Sequence, residues 1–207
     1  MAKQSNMSMQ AMQQDKDSDR QLTGFAAELY EWLEAIAFAL AIVVLLFTFV
    51  LRIISVDGDS MQPTLQNENR ILVNRMMSHP KENDIVIVIA PVGDDYNKPL
   101  VKRVVALENQ YLQIIDGVLY VGDTAESMTP RQIAGLEQIT LLGDKFDWSQ
   151  PVQVPEDCVF VMGDNRNNSL DSRDARLGFV DEKYILGNVV LRIFPFSEFG
   201  KIETVTM

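Results

Sequence analysis

Gly58-Asp59-Ser60-Met61-Gln62-Pro63-Thr64-Leu65 places a serine in a tight, glycine-led turn, with a long apolar run before it and β-branched runs after it. The apolar run, Ala35 to Leu51, reads AIAFALAIVVLLFTFVL, 17 residues without a charge. That is the lower end of the length for a bilayer span. Leu33 on one side and Ile53-Ile54 on the other lengthen it if Glu34 and Arg52 sit at the interfaces, and Tyr30 and Trp32 suit an interfacial aromatic belt. Apolarity on all sides over several turns points to lipid rather than to a soluble core. The run is longer than the apolar region of a cleaved signal peptide. It also lacks a nearby basic segment before it and an Ala-x-Ala site at its end. The expectation is an uncleaved transmembrane signal anchor over 24–54. It follows a tail over 1–23 that is rich in Gln, Ser, Met, Asp and Lys and is expected to be disordered. Lys3, Lys16 and Arg20 precede the span and Arg52 follows it, so charge alone specifies orientation only weakly.

Downstream, over 55–207, β signals dominate. Arg70 to Asn74, Ile85 to Ile89 and Leu100 to Leu107 are short runs rich in β-branched residues. Gln110 to Ile115, then Asp116-Gly117, then Val118 to Val121 predicts a hairpin with a type I′ turn. Val159 to Met162 and Asn188 to Phe194 read as closing strands. Residues 122–157 are polar and turn-rich, with a short helix near Gln132 to Gln138, and read as an insertion or small subdomain. The expected fold is mainly β, an antiparallel-sheet domain preceded by one transmembrane helix.

Composition removes several functions. The net charge is −11, which argues against a nucleic-acid partner, because phosphate binding calls for a basic face. One cysteine, Cys158, excludes an internal disulfide and cysteine-based zinc sites. Cys158 opens the apolar run to Met162 and is expected to be buried and inert. No glycine-rich phosphate loop is present, and no metal or other cofactor is called for.

A serine hydroxyl is a weak nucleophile and needs a base and oxyanion donors. Gly58 lets the backbone turn tightly and the Ser60 N–H is a natural donor, although the same residues also describe an ordinary turn. A Ser-His-Asp triad would need His79, the only histidine, which lies in the turn-like loop Ser78 to Asn83 and is expected to be exposed. Lys102 is the alternative base. Strand alternation puts Leu100, Lys102, Val104 and Ala106 on one face. A charged ammonium there is costly: lowering its pKa from about 10.4 to about 8 corresponds to roughly 3 kcal/mol. The plain alternative is a lysine whose stem packs while its head reaches water. The third segment, Gly163 to Arg173, is dense in short polar side chains that can hold a loop rigidly. It also reads as a surface turn, and Asn167-Asn168-Ser169 fits a glycosylation sequon.

Together these residues resemble the type I signal peptidases, membrane-bound Ser-Lys endopeptidases, from about Ala35 to Phe196. Gly58 to Leu65 is similar to the family's serine box, Lys102-Arg103-Val104-Val105 to its lysine box, and Gly163 to Arg173 matches Gly-Asp-Asn-Arg-x-x-Ser-x-Asp-Ser-Arg in full. The resemblance implies Ser60 as nucleophile and Lys102 as general base. Ser169 would hydrogen-bond the lysine, Asp171 and Arg173 would support it, and Met61 and Arg103 would line the site. It further implies signal peptides of exported precursors as substrates, cut after small residues in an Ala-x-Ala pattern. The catalytic domain would lie outside the cell membrane, against the lipid bilayer, without a metal.

Two departures stand out. Where the lysine box usually continues Gly-Leu-Pro-Gly-Asp, this chain has Ala106-Leu107-Glu108-Asn109-Gln110, although Asn109 tolerates a left-handed backbone. Gly58 occupies a place where some members carry a hydroxyl as a second oxyanion donor. Ser60 is nine residues beyond Leu51, a reach of about 30 Å at most, which keeps it close to the membrane. Phe194, Phe196 and Phe199 offer an apolar patch for the same interface, or ordinary tail packing. A narrow-specificity Ser-Lys processing protease and a membrane-tethered pseudo-protease that binds peptides are the competing readings. A self-cleaving repressor fits poorly with the apolar run.

Overall fold

A computed structural model describes residues 28–76, 79–89, 98–131, 136, 139 and 148–202. The chain divides into two compact units, residues up to Phe49 and residues from Val50 onward. Among the described residues, the first is helix α1 (Glu28–Val50), whose last residue opens the second unit; its 23 residues are long and apolar enough to cross a membrane. At 1.5 Å per residue that is about 34 Å, enough to span a hydrocarbon core of about 30 Å. Its last turn, Leu46–Val50, is π-helical, and the Thr48 hydroxyl donates back to the Val44 carbonyl at 2.7 Å.

The apolar run does not stay helical to Ile54. Leu51–Ser55 forms strand β1, paired in antiparallel register with β2 (Arg70–Asn74) from Leu51↔Asn74 to Ser55↔Arg70. Ile53 and Ile54 therefore belong to the sheet and do not lengthen the span. β-Branched residues suit a strand whose partner supplies the backbone hydrogen bonds, and here tertiary pairing overrides the apolar periodicity.

The described residues of the second unit form two antiparallel sheets. β3 (Ile85–Val88), β4 (Leu100–Ala106), β9 (Cys158–Met162), β10 (Val180–Asp181) and β11 (Ile185–Phe194) join β1 and β2 in the order β1-β2-β11-β3-β4-β9-β10. The smaller sheet is β7 (Thr129–Pro130), β6 (Val118–Gly122), β5 (Tyr111–Ile115) and β8 (Val152–Gln153), in that order. It takes the β5–β6 hairpin as its centre, so this layer begins before residue 122. The hairpin turn has φ 48° at Asp116 and 75° at Gly117, as a type I′ turn requires. Asn109 also takes the left-handed conformation, φ 64°. The expected helix near Gln132 to Gln138 lies outside the described residues.

The long β11 is bent by irregularities at Ile185/Gly187, Val189/Leu191 and Arg192/Phe194. Such bulges let one strand serve β2 along one edge and β3 along the other. Three buried clusters hold the layers together. One joins the small sheet to β4 and β9 through Leu112, Leu119, Val121, Trp148, Phe160 and Met162. A second, with Met61, Leu65, Ile71, Val73, Ile87 and Val101, lies under the serine turn. The third is mostly valine, from β3, β4 and β9. Cys158 is only half-buried, because it is the first residue of β9, and partial desolvation and then Asp181 push its thiol pKa up.

Candidate active site

The serine turn is built from its buried anchors outward. Met61 and Leu65 are fully buried, and the Leu65 N–H donates to the Met61 carbonyl at 2.9 Å, closing one helical turn. Before it, Val56 and Asn69 clip the ends of the loop together. Gly58 has φ +92°, a conformation that side chains rarely adopt, and its N–H donates to Asn67 Oδ1 at 2.9 Å. The backbone thus reverses at Gly58 and presents Ser60 at the edge of a packed base.

Lys102 reaches Ser60 from the middle of β4. It is 2% exposed and lies opposite Val86 of β3. Its Nζ donates to Ser60 Oγ at 2.7 Å and to the Val101 carbonyl at 2.9 Å. Burial lowers the lysine pKa to about 8, with Asp171 and Asp164 pulling weakly in the opposite direction. The lysine head stops at the serine rather than in bulk water, so at pH 8 about half of it is a neutral amine.

The loop after β9 closes over this pair. The Asn165 N–H donates to the Ser60 carbonyl at 3.0 Å, and Asn165 Nδ2 donates to the Asp59 carbonyl at 3.2 Å. Asp171 accepts from the Gly163 N–H at 3.0 Å and from Arg173 Nε at 2.8 Å, while an Arg173 terminal nitrogen donates to the Arg166 carbonyl at 2.6 Å. Asp171 and Arg173 are both buried, and a buried ion pair that also satisfies backbone groups fixes a loop rather than simply adding stability.

Met61 and Arg103 adjoin Ser60 and Lys102 in sequence, and both are fully buried. Met61 sits in the core cluster beneath the turn. Arg103 is fully buried and forms a fork with Asp164, Nε to Oδ1 at 2.8 Å and a terminal nitrogen to Oδ2 at 2.6 Å. Its other terminal nitrogen donates to the Asn83 carbonyl at 3.0 Å. The Thr64 hydroxyl donates to the same Asp164 Oδ2 at 2.5 Å, so one carboxylate ties β4 to the serine turn. Asp164, Thr64 and Asn165 were not singled out from the sequence. A signal for Asp164 existed: in a strand buried on both faces, an arginine beside the lysine demands a carboxylate.

Ser169 differs from its expected role. Its hydroxyl is buried and makes no hydrogen bond among the described residues, to Lys102 or to any other group. It packs against Gly163: a Cβ placed on that glycine would meet Ser169 Oγ at 2.2 Å and the Ser60 carbonyl oxygen at 2.4 Å. Lys102 instead finds its second acceptor in the neighbouring Val101 carbonyl. His79 stands apart, with its side chain 79% exposed and Nδ1 2.9 Å from Glu182. The Gly58 amide is occupied by Asn67, so it is not a free oxyanion donor.

A family profile described as "Signal peptidase, peptidase S26" matches residues 29–194. Signal peptidase I of Bacillus licheniformis is 36% identical over 182 residues, which cover 84% of this chain and 94% of that protein. Signal peptidase I S of Bacillus subtilis (strain 168) is 34% identical over 177 residues, covering 84% and 93% respectively. A crystal structure of a signal peptidase I from Enterococcus faecalis V583 overlaps with a TM-score of 0.40 at 24% identity, covering 54% of this chain and 97% of that one. The chain belongs to the signal peptidase I family, peptidase S26, a family of serine endopeptidases.

Proposed function

We propose that this protein removes signal peptides from exported precursors by a Ser-Lys mechanism, with Ser60 as nucleophile and Lys102 as general base. The observation that carries the reading is the 2.7 Å contact between Lys102 Nζ and Ser60 Oγ at a buried lysine. When the amine is neutral the bond runs the other way, and the Ser60 hydroxyl donates to the Nζ lone pair. The hydroxyl oxygen attacks the scissile carbonyl as Lys102 takes its proton. The Ser60 N–H meets the oxyanion that forms. Lys102 then returns the proton to the leaving amine, which leaves an ester on Ser60. Lys102 next removes a proton from water as the water oxygen attacks the ester; the bond from the carbonyl carbon to Ser60 Oγ breaks, the acid product is released, and Lys102 returns the proton to Ser60 Oγ.

The same proposal includes cleavage after small residues in an Ala-x-Ala pattern, and α1 as a single membrane anchor with a cytoplasmic N-terminus. The catalytic unit lies on the outer face of the cell membrane. Residue composition supports membrane contact: Phe196 is 81% exposed and Phe199 is 61% exposed, at the end of β11. Exposed apolar rings of this kind suit insertion into the acyl boundary of a bilayer. Asp171, Arg173, Arg103 and Met61 hold the dyad in place, and Ser169 packs beside it.

The test is cleavage of an Ala-x-Ala precursor across pH, with Ser60→Ala as control. The base works only when neutral, and its pKa is about 8, so kcat/KM is expected to rise tenfold per pH unit below that value and to level off above it. A rate flat between pH 6 and 9, or Ser60→Ala retaining turnover, contradicts the reading. A panel of precursors separates a general signal peptidase from a protease restricted to one class of exported protein.

A further inference from the structure

We infer that Arg192, on β11, is a positioning residue for the serine turn, acting through the Thr64 carbonyl. The inference rests on the Ser60–Lys102 reading above. Arg192 is far from Ser60 in sequence, yet one of its terminal nitrogens donates to the Thr64 carbonyl at 3.2 Å. Thr64 in turn donates its hydroxyl to Asp164, and Asp164 holds Arg103, the residue next to Lys102. The Thr64 peptide is therefore gripped from both sides: its carbonyl by Arg192 and its hydroxyl by the carboxylate that braces the lysine strand.

Arg192 is itself held. Its other terminal nitrogen pairs with Glu198, and its side chain is only 16% exposed. Its backbone exchanges two hydrogen bonds with Gly200, N–H to carbonyl at 2.9 Å and carbonyl from N–H at 3.2 Å. The ribbon from Arg192 to Gly200 thus closes on itself and fixes the guanidinium in direction. Arginine suits this task because a planar fork can bind a carboxylate and a carbonyl at once, which a lysine ammonium does with less directional control. A group that fixes a nucleophile's turn acts on orientation, and orientation errors near 1 Å cost about a hundredfold in rate.

The experiment uses the full-length protein in detergent micelles with a short Ala-x-Ala peptide substrate. Arg192→Gln is expected to lower kcat about tenfold with KM within about twofold, because the turn and not the substrate site has changed. Glu198→Gln, which releases the guanidinium from one side, is expected to lower kcat in the same direction by a smaller factor. Thr64→Val removes the other grip. If both act on one peptide, the double variant Thr64→Val/Arg192→Gln loses less than the product of the two single losses. A purely structural role gives independent losses that multiply and track the melting temperature. Unchanged kcat in Arg192→Gln and Glu198→Gln, or an effect on KM alone, overturns the inference. If Arg192→Gln does not fold, Glu198→Gln decides: lowered kcat at constant KM supports the inference and wild-type kcat refutes it. Ser60→Ala is run alongside, and its retaining activity would refute the dyad, a different failure from that of Arg192.

Discussion

Lys102→Met is expected to abolish precursor cleavage and to stabilise the protein. Both effects come from the same burial. Methionine matches the lysine stem in length and fits a site surrounded by apolar strands, but it cannot take a proton from Ser60. Without a base the serine hydroxyl is a poor nucleophile, and removal of one catalytic partner commonly costs several orders of magnitude. Stability moves the other way. Lys102 is 2% exposed and its pKa falls from 10.5 to about 8 through desolvation. In the unfolded chain the pKa returns to its ordinary value. Between pH 8 and about 10.4 the unfolded state binds more protons, so stability rises with pH across that window. Below pH 8 the full cost of the buried ammonium is present, about 3 kcal/mol at 1.36 kcal/mol per pKa unit. Lys102→Met is therefore expected to unfold at higher denaturant or temperature at pH 7, and its advantage should shrink above pH 8. An advantage over wild type that is the same at pH 7 and at pH 10 would mean that the lysine carries no such cost.

Gly163→Ala is expected to lower kcat/KM by about a hundredfold or more, although alanine carries no charge and lies outside the dyad. Its Cβ would sit 2.4 Å from the Ser60 carbonyl oxygen and 2.2 Å from Ser169 Oγ. Ser169 can rotate, but the Ser60 carbonyl is backbone and is already held by the Asn165 N–H at 3.0 Å. Relief requires moving the nucleophile's own peptide or opening the loop that starts at Gly163. Either change displaces Ser60 relative to Lys102, whose position on β4 is fixed by neighbours on both sides. Overpacking of this kind typically costs about 1–3 kcal/mol of stability as well. Steady-state kinetics and thermal melts on the purified variant check both effects. By contrast, a Cβ at Gly58 meets nothing within 4 Å, so a substitution there would act through its φ of +92° rather than through a clash.

The parts of this fold that local chemistry dictates were legible in the sequence. β2 to β6 follow β-branched runs, and the Asp116-Gly117 turn follows from the need for positive φ at two adjacent residues. That Lys102 shares a strand face with apolar residues was legible from alternation; that its head is buried at Ser60 instead of reaching water was not. What was not legible depends on pairing between distant segments. β7, β8 and β10 are two residues each and exist because a neighbouring strand accepts them. β1 looked like the end of an apolar helix until β2 paired with it. The Thr64–Asp164 bond joins residues 100 positions apart, and no local pattern announces it. Ser169 was assigned by motif to the lysine, but packing against Gly163 leaves its hydroxyl without that bond.

The central claim is that Ser60 is the nucleophile and that Lys102 activates it. Mass spectrometry after treatment with a serine-reactive acylating inhibitor tests this most directly. One adduct is expected, on Ser60, forming faster as pH rises through 8 and failing to form in Lys102→Met. An adduct on another residue, or acylation of Ser60 in Lys102→Met at the wild-type rate, would contradict it.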